Sequence, residues 1–142
     1  MKKLFLILVA FTCMASLYAQ QATTVAVDTT AKAKIVFETQ SHDFSTINQG
    51  GDGNCVFSFK NEGKAPLILS NVQASCGCTT PSWTREPVLP GVAGEIKVHY
   101  DTNRIGSFSK TITVTSNAEN SPVVLRISGE VKAAEVKPAV NQ

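Results

Sequence analysis

Glu95-Ile96-Lys97-Val98-His99-Tyr100 alternates polar and apolar residues without a break. In an extended chain, neighbouring side chains leave on opposite faces, so Ile96, Val98 and Tyr100 point to one side and Glu95, Lys97 and His99 to the other. The pattern describes a strand with one buried and one solvated face, as antiparallel sheets have. The same period runs through Cys55, Phe57 and Phe59, set against Val56, Ser58 and Lys60. It returns in Val123, Leu125, Ile127 and Val131, set against Val124, Arg126, Ser128 and Glu130. Phe108, Ile112 and Val114 share a face, but Lys110 interrupts it, and a bulge or a weakly paired start is expected there.

Working outward, Ile35 to Glu38 and His42 to Ile47 read as two short strands. Leu67 to Val72 carries apolar residues on both parities, so its inner face is ambiguous. Turn-forming clusters separate these runs: Asn48 to Gly53, Asn61 to Lys64, Pro90-Gly91, Asp101 to Gly106 and Asn117 to Pro122. No stretch shows helical periodicity. Seven short strands in about a hundred residues would leave one sheet with a bare apolar face. Two sheets packed face to face solve that, so the expectation is an all-β, Ig-like sandwich of about seven antiparallel strands. A closed barrel is the alternative. The core should rest on Phe57, Phe59, Ile96, Val98, Ile112, Val114, Leu125 and Ile127.

The ends have a different texture. Lys2 and Lys3 precede an apolar run from Leu4 to Leu17, too short to span a bilayer comfortably, and Ala19 offers a cleavage site before Gln20. Residues 1–19 are therefore expected to be a signal peptide. An uncleaved anchor would normally be longer. Lipidation at Cys13 would need a better sequence than Ala10-Phe11-Thr12 before it. Residues 20–33 read as a disordered leader, 34–131 as the domain and 132–142 as a disordered tail, and the leader through Lys32 and the tail should be dispensable for folding. The expected location is the periplasm or cell surface of a Gram-negative bacterium. No membrane span is expected after cleavage.

Thirteen Lys and Arg face eleven Asp and Glu, and removing Lys2 and Lys3 leaves eleven of each. A neutral domain without a basic stripe argues against nucleic-acid binding. Only His42 and His99 are available as histidines, and no Ser-His-Asp pattern, phosphate loop or paired-carboxylate motif is present. The reading is of a chain that is not an enzyme and needs no cofactor. Gly50-Gly51-Asp52-Gly53 lacks the acid spacing of a calcium loop and reads as a turn.

Cysteine carries the pointed chemistry. Cys55 shares parity with Phe57 and Phe59 and reads as a core residue. If Asn61 to Ala65 turns a hairpin, Cys55 lies opposite Asn71, out of reach of Cys76 and Cys78. In Cys76-Gly77-Cys78 an extended backbone would hold the two Cβ atoms about 7 Å apart, against about 3.8 Å in a disulfide. A bridge therefore needs a bend, which Gly77 would permit. Three readings stay open: a structural bend, thiol–disulfide chemistry, or capture of a soft ion such as Cu(I). Ser75 to Trp83 should form a loop capping one end of the sandwich, with Thr79, Pro81 and Trp83 offering a binding surface or Trp83 sealing the core.

Ser75-Cys76-Gly77-Cys78-Thr79, preceded by Asn61-x-Gly63 and Pro66-Leu67-x-Leu69, is followed by Pro90-Gly91, Gly94-x-Ile96, Gly106-x-Phe108-x-Lys110-x-Ile112, Ser116-Asn117 and Gly129. This order resembles the bacterial family called Domain of Unknown Function 1573, from about Phe37 to Val131. The resemblance implies an exported Ig-like sandwich similar to major sperm protein, pilus chaperone and ASH domains, and it implies no activity. It carries over only Cys76, Gly77 and Cys78; Cys55 is outside the pattern. The leading expectation is a monomeric, non-enzymatic module that binds an envelope or surface protein, through a sheet edge or end loops. The alternative is a thiol-redox or Cu(I)-handling protein using Cys76 and Cys78.

Overall fold

The structure, a computed structural model, describes residues 31–134. The expected signal peptide, most of the leader and all but the start of the tail lie outside the described residues. Eight strands follow in order: β1 (Ile35–Phe37), β2 (Ser41–Asn48), β3 (Asn54–Asn61), β4 (Leu69–Ala74), β5 (Thr79–Trp83), β6 (Ala93–Tyr100), β7 (Gly106–Ser116) and β8 (Val123–Lys132). They form two four-stranded sheets, β1-β3-β6-β5 and β2-β8-β7-β4. The sandwich is the expected one, with one more strand. The strand missed by the sequence reading is β5, which occupies part of the expected end loop.

The alternation sets which faces meet. Phe57, Phe59, Ile96, Val98, Ile112, Val114, Leu125 and Ile127 are all at most 1% exposed. Each such side chain contributes about 1.5–3 kcal/mol through burial before entropy is counted. Cys55 lies in the same core at 6% exposure.

Three local expectations change. Pairing is not purely antiparallel: β2 runs parallel to β8, because the chain crosses between sheets after Phe37 without reversing. No bulge forms at Lys110, since β7 and β8 pair in unbroken register from Gly106 to Val114. The irregularities fall in β2 between Asp43 and Thr46, where Ser45 has φ 55°, and in β4 between Leu69 and Asn71. The β4 bulge explains the mixed parity there: Leu69 and Val72 are both buried although three residues apart.

The presumed hairpin between β3 and β4 does not exist. β3 pairs with β1 and β6, and β4 pairs with β7 in the other sheet. Asn61 organises the arch that separates them. Its side chain, 0% exposed, donates through Nδ2 to the carbonyls of Ala65 (2.8 Å) and Val88 (2.9 Å). Its Oδ1 accepts from the backbone N–H of Gly63 (3.0 Å) and Lys34 (3.4 Å). Ala33, just ahead of the domain boundary expected from sequence, is 1% exposed and bridges to Ala118, and the Lys32 carbonyl accepts from Lys64 N–H.

Candidate functional site

The segment from Ala74 to Trp83 is where one sheet hands the chain to the other. Ser75 N–H donates to the Thr111 carbonyl (2.9 Å), but Thr111 N–H returns its bond to Ser75 Oγ (3.2 Å), so the β4–β7 ladder ends on a side chain. Three residues on, the Cys78 carbonyl accepts from the N–H of Asp101 (2.9 Å), the residue that follows β6 of the other sheet. Between these points Thr79 N–H donates to the Cys76 carbonyl (3.3 Å), closing a β-turn.

Cys76 and Cys78 form a disulfide across this turn, with Cα atoms 5.4 Å apart. The turn brings them closer than the roughly 6.6 Å of two extended residues. Cys78 is buried at 6% exposure, while Cys76 is half-buried, and the Thr79 hydroxyl sits 3.9 and 4.0 Å from the two sulfurs. Lys110, half-buried on the inward parity of β7, falls opposite Cys76 when the β4 register is continued, and its stem allows the ammonium to reach water.

Gly77 does not have the role the sequence suggested. It is exposed, its φ lies outside the left-handed region, and a Cβ there would meet nothing within 4 Å. The turn and the disulfide hold the bend, so no side chain is forbidden. Gly77→Ala is therefore expected to change stability by less than about 0.5 kcal/mol. Reducing the disulfide should cost about 1.6 kcal/mol, the chain entropy of so short a loop. Urea denaturation with and without dithiothreitol checks both values.

Trp83 is not a lid over the end of the core. It closes β5 at the side of the sandwich, half-buried against the core, with the Arg85 guanidinium 4.4 Å from the ring centroid. Its Nε1 is buried without a hydrogen-bond partner. With Ser82, Thr84, Glu95 and Lys97 it lines an open recess of about 430 Å3. Thr79, Pro81 and Trp83 share the inward parity of β5, with Thr79 buried and the other two half-buried. Proline is excluded from central strands but admitted on edge strands, and β5 is one.

Elsewhere the polar candidates serve the fold. His99 is exposed, with Nδ1 3.0 Å from Asn54 Oδ1. Asp52 Oδ1 accepts from the backbone N–H and then the side-chain amide of Asn54, and these bonds hold its carboxyl below the usual range. Among the described residues no three His, Cys, Asp or Glu side chains converge, and no helix is long and apolar enough to cross a membrane.

Cys55 keeps a free thiol, and burial pushes its pKa up to about 11 from 9.0. Its stabilising contribution is complete below pH 9. It declines between pH 9 and about 11, where the unfolded thiol ionises and the folded one stays protonated. Burial also raises Tyr100, adding a loss of the same sign. Cys55→Ala should flatten part of the stability decline in that window, read by denaturation at fixed ionic strength.

Two four-stranded sheets joined by a stapled crossover make a small Ig-like sandwich, similar in fold to PapD-like and ASH domains. The chain belongs to the family described as protein of unknown function (DUF1573), whose profile matches residues 35–131. A protein of unknown function from Porphyromonas gingivalis W83 is 16% identical with a TM-score of 0.65, over 76% of this chain and 51% of that one. This chain thus spans about half the length of that relative. The seventh PapD-like (ASH) domain of human CEP192 is 11% identical with a TM-score of 0.62, over 73% of this chain and 89% of that one. The CsuC–CsuE chaperone–tip adhesion subunit complex of Acinetobacter baumannii gives 11% and 0.53, over 70% and 58%. At such identities these likenesses establish the fold alone. No curated protein matches the chain.

Proposed function

We propose that this protein is an exported, non-enzymatic module that binds another protein of the bacterial envelope and serves in its assembly. The observation that carries this reading is the crossover surface. A rigid sandwich presents half-buried Cys76, Pro81 and Trp83 beside an exposed Gly77 that local packing does not require. Apolar surface held in place by a staple, with room for close backbone approach, suits a protein partner. Export draws support from Lys2 and Lys3 ahead of the Leu4 to Leu17 run, and from a disulfide, which persists in oxidising compartments. The similarity to a chaperone solved with its tip adhesion subunit supports an envelope partner by analogy.

The test is crosslinking in envelope extracts with the wild type and with Trp83→Ser. Recovery of the same partner by the wild type, and its loss from a Trp83→Ser protein that still melts cooperatively, supports the reading. Turnover of a small substrate by the purified domain overturns it. An amino terminus other than Gln20 on the secreted protein overturns the cleavage site.

One observation favours a second reading, thiol–disulfide exchange. Cys76 is the more exposed residue of the pair and Cys78 is buried, which suits attack at the first with departure of the second. Trapping a mixed disulfide on Cys78→Ala, but not on Cys76→Ala, would favour it.

A further inference from the structure

Each sheet has two edge strands, and the four edges differ in what they offer a neighbour. On β1 the side chain of Asn120 already makes both bonds a next strand would make to Ile35: its Oδ1 accepts from Ile35 N–H (3.2 Å) and its Nδ2 donates to the Ile35 carbonyl (2.7 Å). On β2 the bulge at Ser45 interrupts the edge. On β5 the Cys78–Asp101 bond fixes the alternation. It turns the backbone groups of Thr80 and Ser82 toward β6 and those of Pro81 outward. Proline has no N–H, so the centre of that edge lacks its donor.

β4 has no such protection. The Ser75–Thr111 bond turns Asn71 and Gln73 toward β7 and leaves the N–H and C=O groups of Val72 and Ala74 pointing away from it. Nothing among the described residues bonds to them. Natural edges are commonly guarded by charge, yet no charged residue occurs from Ala65 to Thr84, a stretch that includes all of β4 and β5. Val72 and Ala74 send their side chains inward, toward a seam flanked by half-buried Cys76, Pro81 and Trp83.

We propose that β4 accepts an extended, uncharged segment of a partner protein as an added strand, with apolar side chains at the alternate positions facing the β4–β5 seam. The proposal rests on the protein-binding reading and names its surface. Val72 and Ala74 supply two donors and two acceptors in register. The uncharged pair of strands selects the occupant, because a charged side chain drawn between them would lose hydration with no ion-pair partner on β4 or β5 to replace it.

The test uses phage-displayed random 12-residue peptides as the probe. The expected result is enrichment of uncharged sequences with alternating apolar residues. Their binding should slow amide hydrogen exchange at Val72 and Ala74 in the wild type. Ala74→Pro removes one outward donor while sparing the bonds to β7, and should weaken binding about tenfold. Exchange protection in the wild type decides the matter even if that variant folds poorly. Peptides that bind Ala74→Pro equally well, or leave both amides exchanging freely, overturn the edge assignment while leaving a protein-binding role intact. Enrichment of charged peptides, or of none, also overturns it. A dimer in sedimentation that Ala74→Pro dissociates would make a second copy the occupant and overturn the partner named here.

Discussion

Asn61→Ala is expected to lower the stability of the domain by about 3–4 kcal/mol, a large fraction of what a domain of this size has. The side chain is fully buried, and its loss leaves three backbone groups without their partner: the Ala65 carbonyl and the N–H groups of Gly63 and Lys34. The Val88 carbonyl keeps its bond from Leu67 N–H and contributes little to the cost. Each orphaned, partly buried group costs roughly 1–1.5 kcal/mol. Asn61→Asp tests the donors separately. It retains an acceptor for Gly63 and Lys34 but aims a carboxylate at two carbonyl oxygens. Its folded pKa should therefore rise above the unfolded value of about 3.9. Stability of that variant should be greatest below pH 4 and fall as pH rises toward neutrality, the reverse of a salt-bridged aspartate. Urea denaturation at pH 4 and pH 7 reads both effects, and a loss under 1 kcal/mol for Asn61→Ala would refute the assignment.

That residue also marks where the sequence stops being legible. The alternation of β3, β6 and β8 identifies strands and inward faces directly, because burial of one face is a local property with period two. By the same alternation Asn61 continues the inward series Cys55, Phe57, Phe59, and that was the available signal for its burial. What a period cannot say is which strand pairs with which. A turn such as Asn61 to Lys64 can close a hairpin within one sheet or arch to the other. Here the hydrogen bonds of a single buried amide choose the arch, and Cys55 ends far from the position a hairpin would assign it. β4 hid its inner face because a bulge changes parity midway. β5 hid because Pro81 argues against a strand until one knows the strand lies on an edge. The bridge between Cys76 and Cys78 was one of three open readings, since the turn that brings the sulfurs together depends on two sheets the local sequence does not describe.

Gly63→Ala is the second change expected to be severe, at about 3 kcal/mol, and its cause lies outside its own turn. A Cβ at Gly63 would collide with the Lys32 carbonyl oxygen, the Lys34 nitrogen and the Ala33 carbonyl carbon, all backbone atoms of the chain entering β1. No rotamer relieves such a clash, so either the turn or the incoming chain must move. Moving the chain sacrifices the buried Ala33 and the bonds that Lys64 and Ala65 N–H donate to the Lys32 carbonyl. Moving the turn sacrifices the Gly63 N–H bond to Asn61. A double-mutant cycle separates this from an intrinsic preference of the turn for glycine. In a chain beginning at Lys34 two of the three colliding atoms are gone and the third belongs to a free end, so Gly63→Ala should cost less than about 1 kcal/mol there, against the full penalty in a chain beginning at Ala31. Equal penalties in the two backgrounds would show that the turn itself demands glycine, and that residues 31–33 do not determine how the arch is built.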